Sequence, residues 1–278
     1  MPGSLTRFGA RLVHSTTLID RAYRRFDHLR SLLVLAFASE SFLEAHCKLA
    51  YSAATTYRAD SPDFRRGFFQ WERQAVRDFF PAPPARVLLG GAGGGREAYA
   101  LIEMGYTVVA FDPAPVLAAS MREKARAEYS GLLDAYCAGY EDLPIMPATP
   151  DSPPVDLGKL PPFDAAILGW SSFSHLILDS ARIAALTGFA ALTRGPLLVS
   201  YFSEQAQLVP VPSGEGPLNA LRRRAFRRGN AMFTTGIGYA RLISEGELKE
   251  IAGRAGLRVV HVDSESGWPH AILRRAED

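Results

Sequence analysis

The sequence is poor in cysteine and almost neutral in net charge. Only Cys47 and Cys137 occur among its 278 residues, and two cysteines so far apart give no disulfide framework and fit a reducing compartment. A formal net charge of +2 is too small to indicate a nucleic-acid partner by itself. No Cys/His group has the spacing of a zinc site, so we expect no metal.

Long hydrophobic runs are also absent. The longest apolar run, residues 32–38, is too short to span a bilayer and lies too far from Met1 for a signal peptide. Even so, 47% of the residues are hydrophobic, which is enough to bury a sizeable core. These features predict a globular, cytoplasmic protein that has neither a membrane nor a nucleic-acid partner.

A glycine-rich stretch carries the clearest chemical signal. Residues 86–89 are apolar and predict a strand, five glycines then fall between positions 90 and 95, and a helix is predicted from Glu97. This order places backbone N–H groups at a helix N-terminus, where a polar or anionic ligand approaches closely. The next predicted strand, residues 106–111, ends in Asp112 about twenty residues later, the spacing of an acid that receives ribose hydroxyls. The sequence therefore predicts a nucleoside cofactor.

From residue 86 onward, predicted strands alternate with predicted helices, which indicates a parallel sheet with helices on both faces. The last two predicted strands are joined by only about seven residues, too few for a crossover helix, so the last one is expected to pair antiparallel. The predicted strands are residues 86–89, 106–111, 135–138, 163–169, 196–202, 257–262 and 270–273. The predicted helices between them include residues 116–129 and 179–192, and a helix capped by Ser244 and Glu247.

Two segments fall outside this alternation and suggest a division of the chain. Residues 1–84 are predicted to form a helical segment that either covers the site or packs on the sheet. Residues 85–278 are predicted to form the core, interrupted at about residues 203–240. The interruption holds a proline-rich loop at 209–214, expected to act as a hinge, and an arginine-rich helix at 218–228.

The pattern Gly91-x-Gly93-x-Gly95, with Asp112 and the strand order above, resembles the class I S-adenosyl-L-methionine (AdoMet)-dependent methyltransferases over roughly residues 65–275. The resemblance implies a Rossmann-like, doubly wound, seven-stranded sheet, mostly parallel with an antiparallel C-terminal strand. It also implies an enzyme that transfers a methyl group from AdoMet and releases S-adenosyl-L-homocysteine.

The resemblance further implies a set of cofactor contacts. The loop under the methionine part of AdoMet would consist of Gly91, Ala92, Gly93 and Gly95. The positions that follow the next strands would be Asp112 for the ribose, Pro113 beside the adenine, Glu141 and Asp142 for the adenine amino group, and Gly169 and Trp170 for the methyl-transfer site. One position departs from the family pattern, because Leu89 stands where an acid often supports the methionine amino group.

Two groups of residues are candidates for acceptor chemistry. His175 follows the fourth predicted strand and would serve as a general base, although a packing histidine explains it as well. Arg223, Arg224 and Arg227 on the basic helix would bind an acidic group of a small-molecule acceptor, or else form a solvated helix face.

Three functions remain open at this point. The favoured one is methyl transfer to an oxygen or nitrogen of a small-molecule acceptor. An NAD(P)-dependent oxidoreductase is disfavoured because Arg96 occupies the third-glycine position of a dinucleotide fingerprint. A non-catalytic AdoMet-binding protein also fits, since the family has no universal catalytic side chain. The identity of the acceptor and the oligomeric state stay open.

Overall fold

The computed structural model describes residues 3–62, 64–150, 153–204, 216–264 and 267–277. The predicted hinge at 209–214 lies outside these residues. In this part of the chain the α-helices are α1 (Gly3–Phe37), α2 (Glu40–Ala53), α3 (Gln70–Phe79), α4 (Arg96–Glu103), α5 (Pro115–Glu128), α6 (Asp179–Leu192), α7 (Pro217–Ala225) and α8 (Glu245–Arg254). None of the described helices is both long and apolar enough to cross a membrane.

The strands of the described residues divide into one large sheet and two small ones. They are β1 (Arg86–Gly90), β2 (Thr107–Asp112), β3 (Leu133–Cys137), β4 (Ile145–Met146), β5 (Val155–Asp156), β6 (Ala165–Leu168), β7 (Leu197–Ser200), β8 (Phe202–Ser203), β9 (Ala231–Thr234), β10 (Gly238–Ile243), β11 (Leu257–Asp263) and β12 (His270–Arg275). The large sheet has the order β11-β12-β7-β6-β1-β2-β3.

Only β12 runs antiparallel to its neighbours in the large sheet. The predicted fold class, a mostly parallel seven-stranded sheet with an antiparallel C-terminal strand, is therefore confirmed. Strand β1 lies between β2 and β6, with Leu89 opposite Ala110 on one side and Ile167 on the other. Because these strands are parallel, the segments that follow them all emerge at one carboxyl edge, where ligands bind in open α/β sheets.

Both faces of the large sheet are covered. Successive side chains of a strand point to opposite faces, so Val87 and Leu89 pack in a cluster with α3, α4 and α5. Leu88 points the other way and packs with α6 and α8. This double burial explains the nearly continuous apolar character of the central strands.

The interruption at about residues 203–240 contains more regular structure than expected. Strand β10 pairs parallel with β8 and antiparallel with β9, and the sequence pattern predicted neither β9 nor β10. The arginine-rich helix α7 ends at Ala225, and one 3₁₀ turn, Phe226–Arg228, continues it. Helices α1 and α2 pack on this small sheet through Leu32, Leu43 and Tyr239. A separate core thus joins the N-terminal helices to the insertion.

Candidate active site

A cavity of about 720 Å³ lies at the carboxyl edge of the large sheet. This volume falls within the range of about 300–1,000 Å³ that small-molecule sites occupy. One side is formed by the glycine loop and the ends of the strands, and the other by the N-terminal segment and the small sheet. Its lining includes many aromatic side chains: Tyr51, Tyr57, Phe64, Trp71, Tyr140, Trp170, Tyr201, Phe202 and Trp268.

Glycine is required in the loop by close approach as well as by backbone conformation. Gly91 has a φ of +66°, and a Cβ there would lie 2.4 Å from the Cβ of Ser172. The N–H of Gly94 donates to the carbonyl of Tyr57 at 3.0 Å, so a Cβ at this position would collide with the N-terminal segment. Gly91 and Gly93 line the cavity, together with Ala92.

Gly95, the last predicted loop contact, does not line the cavity. It caps helix α4 with a left-handed φ of +98°, and a Cβ there would meet Tyr99 at 2.8 Å. The hydroxyl of Tyr99 donates to the carbonyl of Gly94 at 2.7 Å. Gly95 therefore lets the loop turn into the helix.

Asp112 occupies the predicted ribose position at the end of β2 and lines the cavity with Pro113. Its Oδ2 accepts from the N–H of Gly93 and its Oδ1 from the N–H of Ala114, both at 2.8 Å. The residue is only 7% exposed. Burial raises the pKa of Asp112 to about 6, and the two backbone hydrogen bonds oppose that rise.

The two acidic residues after β3, Glu141 and Asp142, have different roles. Asp142 closes a turn, because its Oδ2 accepts from the N–H of Gly139 at 2.8 Å, and it does not line the cavity. Glu141 does line the cavity, and its Oε1 lies 3.7 Å from Nζ of Lys48 on α2. Of the two predicted adenine contacts, the structure brings only Glu141 to the site.

The two residues after β6, Gly169 and Trp170, also differ, because only one of them lines the cavity. Gly169 donates its N–H to the carbonyl of Gly90 at 2.8 Å, and a Cβ there would lie 2.9 Å from the Gly91 carbonyl oxygen. It packs the end of β6 against the glycine loop and does not line the cavity. Trp170 does line it, with its ring centroid 5.1 Å from that of Phe69 and 5.9 Å from that of Trp268.

Arg96 lies at the base of the cavity and is 2% exposed. Its guanidinium donates twice to Glu72 of α3, at 2.6 and 2.5 Å, and once to Oε1 of Glu97 at 2.8 Å. It also lies 4.4 Å from the ring centroid of Phe69. Burial raises the pKa of Glu72, although the bonds from Arg96 oppose that rise. Arg96 thus ties α3 to the start of α4.

His175 lines the cavity in a hydrogen-bonded chain that fixes its tautomer. Its Nδ1 lies 2.6 Å from the carbonyl oxygen of Tyr239, which can only accept, so Nδ1 carries the proton. Nε2 therefore accepts from the hydroxyl of Tyr51 at 2.7 Å. Burial lowers the pKa of His175 and raises the pKa of Tyr51. The imidazole is thus neutral, with its basic nitrogen toward Tyr51.

The arginine-rich helix lies away from this arrangement. Arg223, Arg224 and Arg227 are exposed and do not line the cavity. Nε of Arg224 donates to the carbonyl of Ala36 on α1 at 2.9 Å, and its guanidinium lies over the ring of Phe37. The described contacts therefore give no support to the prediction that these arginines bind an acidic group of the acceptor.

Several residues of the site were not found from the sequence. Tyr51 and Tyr57 come from the N-terminal segment, and the hydroxyls of Tyr140 and Ser172 lie 2.5 Å apart beside the glycine loop. No short motif marks these positions. Glu97 was visible only as the start of a predicted helix.

The chemistry of the site fits AdoMet. The glycine loop lines the cavity through Gly91, Ala92 and Gly93, so a ligand in the cavity can approach its backbone. A buried carboxylate, Asp112, stands at the predicted ribose position. Aromatic walls such as Trp170 suit a sulfonium cation and a planar base. The described residues contain no His, Cys, Asp and Glu group that could hold a metal ion.

Comparison with known proteins supports the fold. No protein-family model and no curated protein matches the sequence. Among solved structures, the CcbJ methyltransferase of Streptomyces caelestis is 19% identical with a TM-score of 0.53, over 73% of this chain and 93% of that chain. An S-adenosylmethionine-dependent methyltransferase of Leishmania major is 14% identical with a TM-score of 0.55, over 83% of this chain and 82% of that chain.

A third solved structure is more distant. The O-methyltransferase NcsB1 from neocarzinostatin biosynthesis is 19% identical over 70% of this chain, which covers only 50% of that one. Its TM-score of 0.46 is too low to support an inference. At these identities, the first two structures show a shared fold.

Proposed function

We propose that this chain, which has the fold of the class I AdoMet-dependent methyltransferases, transfers a methyl group from AdoMet to an oxygen or nitrogen of a small-molecule acceptor. One observation carries the proposal. A single cavity at the carboxyl edge of the sheet joins the glycine loop and Asp112 to the hydrogen-bonded pair of His175 and Tyr51. The proposed cofactor subsite and a candidate proton acceptor therefore share one cavity.

The strand order favours AdoMet over a nicotinamide dinucleotide. The dinucleotide fold has six parallel strands in the order 3-2-1-4-5-6. Here β12 is inserted antiparallel between β7 and β11. In addition, Arg96 fills the place of the third fingerprint glycine and is committed to Glu72. These two features weigh against an NAD(P)-dependent oxidoreductase.

When bound, AdoMet supplies an electrophilic methyl group on a sulfonium sulfur. The chain's contribution is to align the acceptor and to take up its proton. The acceptor's O–H or N–H proton passes to the hydroxyl oxygen of Tyr51 while the Tyr51 proton moves to Nε2 of His175. The carbonyl of Tyr239 holds the other ring nitrogen and stabilises the imidazolium that forms.

The cavity wall indicates what kind of acceptor would bind. Tyr51, Tyr57 and Trp170 present ring faces and edges to one another, with Tyr57 5.1 Å from Tyr51 and 6.1 Å from Trp170 between ring centroids. Such a wall favours a flat, largely apolar molecule that carries one nucleophilic group. We propose that residues 1–84 cover the acceptor and that the core from residue 85 holds the cofactor.

Two measurements test the proposal. Calorimetric titration with AdoMet, S-adenosylhomocysteine, NAD and NADP should show binding of the first two only. A panel of aromatic hydroxyl and amine compounds should then give S-adenosylhomocysteine release with at least one acceptor. Binding of NAD in place of AdoMet would overturn the proposal. AdoMet binding without turnover of any acceptor would favour a non-catalytic binding protein.

A further inference from the structure

The acid that class I methyltransferases often carry before the loop is missing here, and its position offers no substitute. Leu89 is fully buried near the end of β1 and packs in the core beneath α3 and α4. It does not line the cavity. A positively charged amino group in the cavity would therefore need a different carboxylate.

Glu97 is a carboxylate placed for that purpose. It is the second residue of α4, directly after the glycine loop, and it lines the cavity although it is only 3% exposed. Its Oε1 accepts from Arg96 at 2.8 Å and from the N–H of Trp170 at 3.4 Å. No residue in the described ranges donates to Oε2. One oxygen thus anchors the side chain and the other is available to a ligand.

The local charge balance also calls for a cation. Arg96 supplies one positive charge between two carboxyl groups, Glu72 and Glu97, and all three residues are nearly fully buried. Burial and the nearby Glu97 both raise the pKa of Glu72, as expected where carboxyl groups outnumber cations. Arg96 gives two of its hydrogen bonds to Glu72 and one to Glu97. A buried charge without full compensation is costly, so a cationic ligand group beside Glu97 would be favoured.

The position of α4 adds a second reason for keeping this charge. A carboxylate in the first turn of a helix is stabilised by the helix dipole and its free N–H groups. Glu97 is the acidic residue of that first turn. Its charge is also felt at Asp112 on the other side of the loop, where it adds to the rise in pKa. The two carboxylates therefore flank the glycine loop.

We propose that Glu97 binds the ammonium group of the methionine part of the cofactor and so replaces the acid that is missing at position 89. This inference rests on the proposed function and concerns the same site. It makes Glu97 a specificity residue, because ligands that have the nucleoside but lack the amino-acid part gain nothing from it.

A pair of ligands isolates this contact. S-adenosylhomocysteine and 5′-methylthioadenosine share the nucleoside and the thioether sulfur, but only the former carries an ammonium group. Calorimetry on Glu97→Gln should show S-adenosylhomocysteine binding weakened about 10- to 100-fold and 5′-methylthioadenosine binding unchanged. Gln keeps an oxygen for Arg96 and Trp170, so the fold has little reason to change.

Glu72→Gln is the matched control. Glu72 shares the buried cluster with Arg96 but does not line the cavity. This variant should lower the melting temperature and affect both ligands equally. If Glu97→Gln does not fold, Glu97→Asp keeps the charge with a shorter reach and should still weaken S-adenosylhomocysteine binding selectively.

The outcomes separate the two proposals. Equal losses for both ligands, or no loss for either, in folded Glu97 variants would overturn the role of Glu97 and leave the proposed function standing. If the unaltered protein binds neither ligand, the proposed function fails, and with it the role given to Glu97.

Discussion

The two sides of the cavity are built in different ways. The loop side draws on residues 89–112, which are neighbours in sequence and offer backbone N–H groups and carboxylates. The covering side joins His175 to Tyr51 and to Tyr239, which are 124 and 64 residues away along the chain. The proposed cofactor recognition is therefore encoded locally, whereas the proposed acceptor chemistry depends on how distant segments pack.

The two sides also differ in charge. The loop side holds the buried carboxylates of Asp112 and Glu97, with the guanidinium of Arg96 beside Glu97. The covering side presents aromatic rings and a neutral imidazole. An anionic wall suits the sulfonium and ammonium charges of a cofactor, and the aromatic wall suits an apolar acceptor.

The largest expected effect lies on the covering side. Replacing His175 by Ala should lower kcat by about 100- to 10,000-fold, because a positioned proton acceptor contributes on this scale. Cofactor affinity should not change, because His175 belongs to the other wall. Steady-state kinetics and calorimetry check both statements, with His261→Ala as a control on an exposed residue of β11. Similar losses of kcat and cofactor affinity would contradict the assignment of acceptor chemistry and cofactor binding to different sides of the cavity.

Tyr51→Phe sharpens the same test. It removes the hydroxyl that donates to Nε2 of His175. If the proton passes through Tyr51, kcat should fall with cofactor affinity intact. A variant as active as the unaltered protein would mean that His175 meets the acceptor directly.

The next effect lies on the loop side. Asp112→Ala should weaken AdoMet binding by about 1.5–3 kcal/mol, because it removes charge-assisted hydrogen bonds to the ribose. It also releases the N–H groups of Gly93 and Ala114, which the carboxylate now holds. Calorimetry measures the change, with Asp134→Ala on the exposed face of β3 as control. An unchanged affinity in a folded variant would remove Asp112 from the site.

A smaller effect on the loop side is expected from the pH dependence of AdoMet binding. Burial raises the pKa of Asp112 to about 6, and ribose hydroxyls donate best to its ionised form. AdoMet affinity should therefore fall as the pH drops below about 6, by at most about tenfold per pH unit. The stability of the ligand-free protein depends on pH in the opposite direction. Because burial raises the pKa of Asp112 above that of an unfolded carboxyl group, the free energy of unfolding falls as the pH rises through about 6. Asp112→Asn should abolish the dependence, and a profile that persists in this variant would place the titrating group elsewhere.

The smallest effect is expected for the arginine-rich helix. Replacing Arg223, Arg224 and Arg227 by Ala should leave the acceptor KM and the cofactor affinity unchanged. The free energy of unfolding should fall by about 1 kcal/mol, because Arg224 loses its bond to Ala36 and its contact with Phe37. Chemical denaturation and kinetics check this together. A rise in the acceptor KM alone would instead support the hypothesis that these arginines bind an acidic group of the acceptor.

Much of the fold was accessible from the sequence because its signals are local. Helix α6 was predicted over residues 179–192 and has these bounds, and Ser244 caps α8 by accepting from the N–H of Glu247 at 3.2 Å. Among the predicted cofactor contacts the outcome was mixed. Asp112 and Trp170 line the cavity, whereas Asp142 is turned into its own loop because its carboxylate satisfies the Gly139 N–H.

The sequence by itself determined three features of this protein. These are the strands that are buried on both faces, the positions where the backbone must turn without a Cβ, and the acid that follows β2. Each follows from side-chain periodicity or from the steric freedom of glycine, which act over a few residues. Only the tertiary structure decided that Tyr51 meets His175, that Arg96 pairs with Glu72, and that Glu97 enters the cavity where Leu89 cannot. These contacts join segments far apart in the chain or depend on which way a helix faces, and no local pattern fixes either.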